Sequence, residues 1–467
     1  MLFSSISFIY FFLAAVLLLY FIVPFKYKNF VLFLASFLFY FYGEPIYTLL
    51  MIATTLSSYI HGLLIGRFRG TKWAKVFMWS SVVTSIAVLG FFKYSDFFIS
   101  NVNAIFGGNF DLLGIALPIG ISFYTFQTLS YTIDVYRGEA EVQRNFIYLA
   151  TYVALFPQLI AGPIVRYTTV EEDLTTRTHS LEKFATGMTR FFIGLAKKVI
   201  IADTFGNLIK SFIASDDKSV AFYWLYAFAL CLQLYFDFSG YSDMAIGLGR
   251  VFGFRFLENF NYPFISRSVA EFWRRWHMSL GTWFRDYVYI PLGGNRVGKW
   301  RWFFNTLVVW FLTGFWHGAD WVFIVWGLYF ALFLLIEKLF LGNILKKIPR
   351  VFSHIYVLLV IIVSFVLFSA NGMGGAIADI GAMFGAGDIP LWSAETAYYL
   401  RSYGLLFVLA IVGATPLVKT AVLKIKETKV GNSVMNVLEP VFQIAVLLIV
   451  TSYFVDGSFS AFLYFRF

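Results

Sequence analysis

Apolar stretches of the length needed to cross a lipid bilayer, about 20 residues each, recur along the chain at roughly 6–23, 30–50, 76–92, 184–214, 219–236, 302–340, 352–370, 403–418 and 437–455. Inside lipid every backbone N–H and C=O needs an internal partner, so only helices or a closed β-barrel can span. A barrel needs strands of about ten residues that alternate apolar and polar side chains, and runs such as 304–311 show no such alternation. A soluble globular fold is excluded by composition: 60% of the 467 residues are hydrophobic, 21% aromatic and only 13% charged. The expected fold is an all-α polytopic integral membrane protein. Because several runs are double length or interrupted, about ten to twelve helices are expected at this span length, some of them broken or re-entrant, around a central polar passage.

The formal charge of +10 does not point to nucleic acid. Basic residues cluster in short connections, at Lys26 and Lys28, at Arg67 to Lys75, at Lys346 to Arg350 and at Lys419 to Lys429, as the positive-inside rule requires of cytoplasmic loops. That rule places both chain ends outside and the Gly43-Glu44-Pro45 break at an outward hairpin tip, in a multi-pass protein of the cell (cytoplasmic) membrane. The first segment lacks a basic n-region and a small-residue cleavage site, so it reads as a retained helix. A lone cysteine, Cys231, leaves no internal disulfide and no Cys-rich metal site. With no repeat and no polar stretch of domain size, residues 1–467 read as a single membrane domain.

Polarity organises that domain. The flanks, about 1–110 and 350–467, are plain apolar helices with basic loops, whereas charges and amides interrupt the apolar pattern repeatedly between about 115 and 345, which requires a polar cavity or re-entrant breaks. Four stretches stand out. Phe156-Pro-Gln158-Leu-Ile-Ala-Gly-Pro163 predicts a broken helix. Asp237-Phe-Ser239-Gly-Tyr241-Ser-Asp243 concentrates polar groups between two apolar segments and predicts a polar pocket. Glu271 to Tyr287 reads as an amphipathic interfacial helix, with Phe272, Trp276 and Trp283 on one face and Glu271 paired to Arg275 four residues on. The fourth stretch, Gly314-Phe-Trp316-His317-Gly-Ala-Asp-Trp321, lies between two strongly apolar segments with no spacer on either side.

Intramembrane histidine and carboxylate are costly and face a cavity or a substrate path, which makes His317 a functional candidate. From Trp302 to Trp316 a helix rises about 22 Å at 1.5 Å per residue, short of a hydrocarbon core of about 30 Å. His317 is therefore expected inside the bilayer. Metal chemistry lacks its ligands, because neither H-E-x-x-H nor a cysteine set occurs. No phosphate loop, dinucleotide spacing or nucleophile elbow is present either. Two classes of function remain: a histidine acting as base on an external nucleophile, or a transport path such as that of a glycan-precursor transporter or flippase.

Five ordered motifs carry a resemblance. Asp237-Phe-Ser-Gly-Tyr-Ser-Asp243, Glu258-Asn-Phe-Asn-Tyr-Pro263, Phe272-Trp-Arg-Arg-Trp-His277, Arg285-Asp-Tyr-Val-Tyr-Ile-Pro-Leu-Gly-Gly-Asn295 and Phe315-Trp-His317-Gly resemble membrane-bound O-acyltransferases. The likeness covers nearly the whole chain, including the ending Phe462 to Phe467, and is nearest to the bacterial alginate O-acetyltransferase branch. Pro291-Leu-Gly-Gly-Asn295 favours that polysaccharide branch over the D-alanyl transferases of teichoic acid.

The resemblance implies that His317 is the catalytic histidine and His277 the second histidine of an intramembrane site, with Trp316, Gln158, Asp237, Ser239, Tyr241, Asp243, Arg285 and Asp286 as substrate-binding candidates. It implies no tightly bound cofactor and transfer of an acetyl group from a cytoplasmic thioester, acetyl-CoA, to a hydroxyl reached from outside. A neutral imidazole would accept the hydroxyl proton, a general-base contribution of about 10²–10⁴ in rate, and burial would hold it neutral. Trp316 or His277 could stabilise the oxyanion. The implied partners are the bilayer, the thioester, an extracytoplasmic protein of serine-hydrolase type, and a polysaccharide acceptor; alginate, other exopolysaccharides and peptidoglycan all fit.

Overall fold

The structure is a computed structural model that describes residues 3–457 and Phe462; Leu463 to Phe467, the last residues of the C-terminal likeness, lie outside the described residues. Every regular element among the described residues is a helix, and the chain is an all-α, multi-pass membrane protein. Among the described residues, seven helices are long and apolar enough to cross a bilayer: Pro45–Arg67, Lys72–Phe106, Val220–Val251, Trp321–Lys347, Arg350–Ser369, Ala394–Gly413 and Lys429–Val455. The expected ten to twelve helices include broken ones, and polar residues interrupt those outside these seven. The 184–214 run becomes consecutive helical segments, Leu181–Ala196, Lys197–Ala202 and Asp203–Ala214, whose Lys197, Lys198 and Asp203 break the apolar window.

The chain forms two compact units. One comprises the residues through Phe191 with Ser242–Leu257, the other Phe192–Tyr241 with the residues from Glu258 onward. In the first unit the helix Phe25–Gly43 stops at Glu44 and Pro45 opens the next, as the Gly43-Glu44-Pro45 break predicts; proline tolerates a first helical turn because that N–H has no intrahelical partner anyway. The helix Ile121–Arg137 is buried along most of its length although rich in Ser and Thr. Its hydroxyls turn back onto the helix, Thr128 to the Thr125 carbonyl and Ser130 to that of Gln127, which satisfies them without water. Lys28 is buried and turns inward, donating to the Tyr20 carbonyl at 2.7 Å with its ammonium 4.2 Å from that ring's centroid.

The helix Phe146–Ala154 ends ahead of Pro157, and 155–162 continue as turns. This is the broken helix that the two prolines predict. The freed groups find partners: Phe156 N–H donates to Ser36 Oγ at 3.1 Å, and the Gln158 amide donates to the Tyr152 carbonyl at 3.1 Å.

In the second unit two helices, Lys299–His317 and Trp321–Ile336, form a hairpin. Asp320 makes the corner, its carboxylate accepting the Val322 N–H at 2.8 Å as an N-cap. The first helix begins at Lys299, one turn before the apolar run, so its rise is about 28 Å at 1.5 Å per residue and includes a basic first turn.

Candidate active site

Two short helices, Val269–Trp273 and Met278–Phe284, replace the continuous amphipathic helix expected between Glu271 and Tyr287. The Glu271–Arg275 ion pair is present at 3.0 Å, and Phe272 stacks on Trp276 at 5.5 Å, so the helical period holds locally. The helix then breaks at His277, whose φ of 46° is left-handed, a conformation disfavoured for side chains with a Cβ. Long-range hydrogen bonds fix it there. Asn259 accepts the Met278 N–H through its carbonyl at 3.0 Å and the Ser279 N–H through Oδ1 at 3.2 Å, while Asn261 N–H donates to the Arg275 carbonyl at 2.9 Å. The start of the first short helix is held by Glu337, whose carboxylate accepts from Val269 and Ala270.

His277 is 2% exposed. Its Nδ1 lies 3.2 Å from Asn259 Oδ1 and its ring meets Phe238 edge-on at 4.7 Å. Burial pushes the imidazole down to about 3, so the ring is neutral near pH 7. His317 closes the helix Lys299–His317 and is 6% exposed. Three aromatic rings surround it: Trp316 at 4.9 Å, Trp326 at 5.0 Å and Phe368 at 5.3 Å, all close to edge-on. Trp316 also lies 6.2 Å from the His277 ring, so one indole flanks both imidazoles. His277 and His317, far apart in sequence, thus share a neighbour in one unit.

A cavity of about 530 Å³ opens beside His277. His277, Trp273, Arg274 and Arg285 line one side, and Thr306, Val309, Trp310 and Thr313 line the other. Its volume falls within the roughly 300–1,000 Å³ of small-molecule sites. Arg274 is exposed and the Arg285 side chain is 58% exposed, whereas His277 is buried, so the cavity runs from a cationic rim to an enclosed histidine. Thr306, Trp310, Thr313 and His317 follow helical spacing, and His317 lies one turn past Thr313, about 6 Å further along the axis.

Other predicted site residues are placed as follows. Arg285 lines the cavity and pairs with Asp286 through two contacts, at 2.6 and 3.1 Å. Asp237, Ser239 and Tyr241 are buried in the same unit, but the 237–243 stretch is no loop: it continues the helix Val220–Val251 without a break. Asp237 and Asp243, six residues apart, point about 120° from one another around the axis. Asp237 is matched by Lys198 at 2.7 Å, and Lys198 also binds Asp203 at 2.7 Å, in a cluster whose side chains are at most 4% exposed. Gln158 and Asp243 belong to the first unit, where Gln158 accepts from Gln127 at 2.8 Å and Asp243 pairs with Arg190 at 2.8 Å. Sequence reasoning missed Lys198, Arg190 and Glu337, and met Asn259 only as a motif letter. Charged residues inside the apolar 184–214 and 302–340 runs were the available signal for three of them.

A family model described as MBOAT, membrane-bound O-acyltransferase family, matches residues 137–374. The probable alginate O-acetylase AlgI of Azotobacter vinelandii is 45% identical over 393 residues, 83% of this chain and 79% of that protein. The peptidoglycan O-acetyltransferase of Helicobacter pylori is 32% identical over 464 residues, 91% of this chain and 88% of its own length. The teichoic acid D-alanyltransferase of Bacillus subtilis is 32% identical over 228 residues, 46% of this chain and 58% of its own length. Both histidines, Asn259 and every residue of the cavity fall within the matched 137–374.

Proposed function

The chain belongs to the membrane-bound O-acyltransferase family, and from that premise we propose that it moves an acetyl group from cytoplasmic acetyl-CoA across the cell membrane for O-acetylation of a polysaccharide outside it, with His317 as general base. Family membership makes the chain an acyltransferase and decides against the transporter reading. The greater identity to an alginate O-acetylase than to a peptidoglycan O-acetyltransferase favours an exopolysaccharide acceptor. An extracytoplasmic protein of serine-hydrolase type is the proposed intermediary.

One observation supports the mechanistic part of this reading: the cavity that begins among exposed arginines ends at buried His277, which shares the Trp316 indole with His317. A thioester whose far end carries phosphates suits that gradient. Arg274 and Arg285 would hold the phosphates, guanidinium being the side chain matched to them, and the apolar and threonine-lined interior would take the acyl arm. The acceptor hydroxyl gives its proton to His317 while its oxygen attacks the thioester carbonyl. The C–S bond then breaks, and the departing thiolate takes up that proton. Thiolate leaves readily, so no covalent enzyme intermediate is needed.

Purified protein in lipid nanodiscs, given radiolabelled acetyl-CoA and an alginate oligosaccharide with its partner protein, tests the reading. Label should pass to the glycan, and in the absence of acceptor the thioester should hydrolyse slowly. Equal turnover by wild-type and His317→Ala protein would remove His317 from the mechanism, and no thioester turnover by the wild type would refute the donor.

A further inference from the structure

Asn259 is fully buried, and its amide oxygen accepts three hydrogen bonds: from Ser279 N–H at 3.2 Å, from Ser279 Oγ at 2.9 Å, and at the His277 ring, Nδ1 at 3.2 Å. A backbone N–H can only donate. The Ser279 N–H therefore fixes which end of the Asn259 amide points at this corner, since a flipped amide would set NH₂ against N–H. With an oxygen facing it, Nδ1 must carry the proton. A neutral imidazole protonated on Nδ1 has its lone pair on Nε2, the nitrogen directed away from Asn259.

We infer that Asn259 is a positioning residue that locks His277 in its Nδ1-protonated form, so that Nε2 serves as a hydrogen-bond acceptor beside the cavity and not as a donor to the oxyanion, while His317 remains the base. The inference rests on the proposed transferase reading and narrows it. It assigns His277 a role distinct from oxyanion stabilisation, which falls to another donor. The arrangement is built for the task. The same residue that sets the tautomer also accepts the Met278 N–H through its main-chain carbonyl, so the left-handed turn at His277 and the state of its ring are determined together. Amides and carboxylates that hydrogen-bond a ligating imidazole orient it in the same way at metal sites. Burial, which holds His277 well below its ordinary value, removes the doubly protonated form that would otherwise restore a donor at Nε2.

Charged groups near this ring include Arg274 and Arg285 along the cavity, and the Glu271–Arg275 pair at the end of the preceding helix. Asn259 holds the Nδ1 side of the imidazole at 3.2 Å. A charge placed at Asn259 should therefore dominate the response of His277 to pH.

The test compares Asn259→Ala, Asn259→Asp and Asn259→Ser, each reconstituted and checked for membrane level and thermal unfolding, in steady-state assays of acetyl transfer from acetyl-CoA. Asn259→Ala should lower kcat by about 10²-fold with KM little changed, the size of a lost alignment beside the reacting groups. Asn259→Asp keeps an acceptor but adds a negative charge, which favours the imidazolium; the acid limb of its pH–rate profile should move up by about one unit or more, and the shift should vanish in an Asn259→Asp/His277→Ala double variant. Asn259→Ser, with a shorter acceptor, should fold and lose about tenfold in kcat. A merely structural asparagine would lower protein level and leave the pH profile of the surviving enzyme where it was. The inference is overturned if folded Asn259→Asp keeps the wild-type acid limb, or, should that variant not accumulate, if folded Asn259→Ser keeps the wild-type kcat. Absence of acetyl transfer in the wild type would instead refute the transferase reading.

Discussion

Gly314 and Gly327 meet where the helices Lys299–His317 and Trp321–Ile336 cross: a Cβ on Gly327 would fall 3.1 Å from the Gly314 Cα and overlap the Trp310 carbonyl, and one on Gly314 would overlap the carbonyl of Phe323. Backbone, which cannot yield, faces both positions. Small residues allow this approach in membrane helix pairs, where packing replaces the hydrophobic effect as the driving force. Gly314 is three residues before His317, so the crossing also sets where the His317 end of the helix stands.

Gly314→Ala and Gly327→Ala should each destabilise the protein by about 1–3 kcal/mol, the cost of overpacking, and should lower activity beyond the loss of protein level because the helix end shifts. Thermal unfolding in detergent together with specific activity per folded molecule measures both. Gly318 is expected to behave similarly, since its Cβ would enter the Phe323 ring; loss of activity in Gly318→Trp therefore reports lost packing as much as a blocked passage. Wild-type stability in both alanine variants would contradict the close crossing.

His317→Ala should abolish acetyl transfer, with a fall of about 10²–10⁴ in rate, while the protein remains inserted and folded. The three rings around His317 would be left with a small void, so a modest drop in unfolding temperature is expected too. Acetylation of the extracellular glycan at a wild-type level in a strain carrying only this variant, at normal protein abundance, would be incompatible with the mechanism.

Which features were legible in the sequence follows from the range of the interactions that made them. The apolar runs, the Glu44–Pro45 break, the interruption at Pro157 and the Glu271–Arg275 pair are local, and each appears in the structure where period and proline chemistry place it. The run from Asp237 to Asp243 reads as a polar pocket because its charges have no visible partners in the sequence. Lys198 and Arg190, tens of residues away, match them and let one helix run straight through. The turn at His277 was hidden for the same reason. Its left-handed φ is set by Asn259, 18 residues earlier, and no local preference announces it.

Lys198 holds two buried carboxylates, Asp203 and Asp237, and the consequences of removing members of that cluster should be unequal. Lys198→Met leaves two buried acids facing each other and should cost about 3–5 kcal/mol, as for other broken buried ion pairs. Asp203→Asn leaves one cation with one anion and should be far milder. Burial works against the Lys198 charge, but Asp237 and Asp203 outweigh it and raise the ammonium above its ordinary 10.5. A pKa that is higher in the folded state gives stability that is complete below pH 10.5 and is lost as pH rises through the folded value. Unfolding temperatures of wild type and Asp203→Asn from pH 7 to pH 11.5 should show a steep alkaline loss in the former, and an equal tolerance of Lys198→Met and Asp203→Asn would argue against the cluster.

Arg274 and Arg285 form the cationic rim of the cavity, and the proposed donor brings phosphates to it. Because they would bind those phosphates equally in the ground and transition states, Arg274→Ala and Arg285→Ala should each raise KM for acetyl-CoA by about tenfold while leaving kcat nearly unchanged. Exposed charges are screened at ionic strengths where the Debye length falls to about 3–10 Å, so wild-type KM should climb with salt and the double variant should respond less. Asp286 already binds Arg285 through two contacts and competes for the guanidinium. Asp286→Asn should accordingly lower KM. A short acetyl thioester lacking phosphates separates this from a general loss of the cavity: it bypasses the rim, so its KM should be the same for wild type and both arginine variants. Equal impairment with the short and the full donor would mean that Arg274 and Arg285 hold the two short helices in place and do not touch the phosphates.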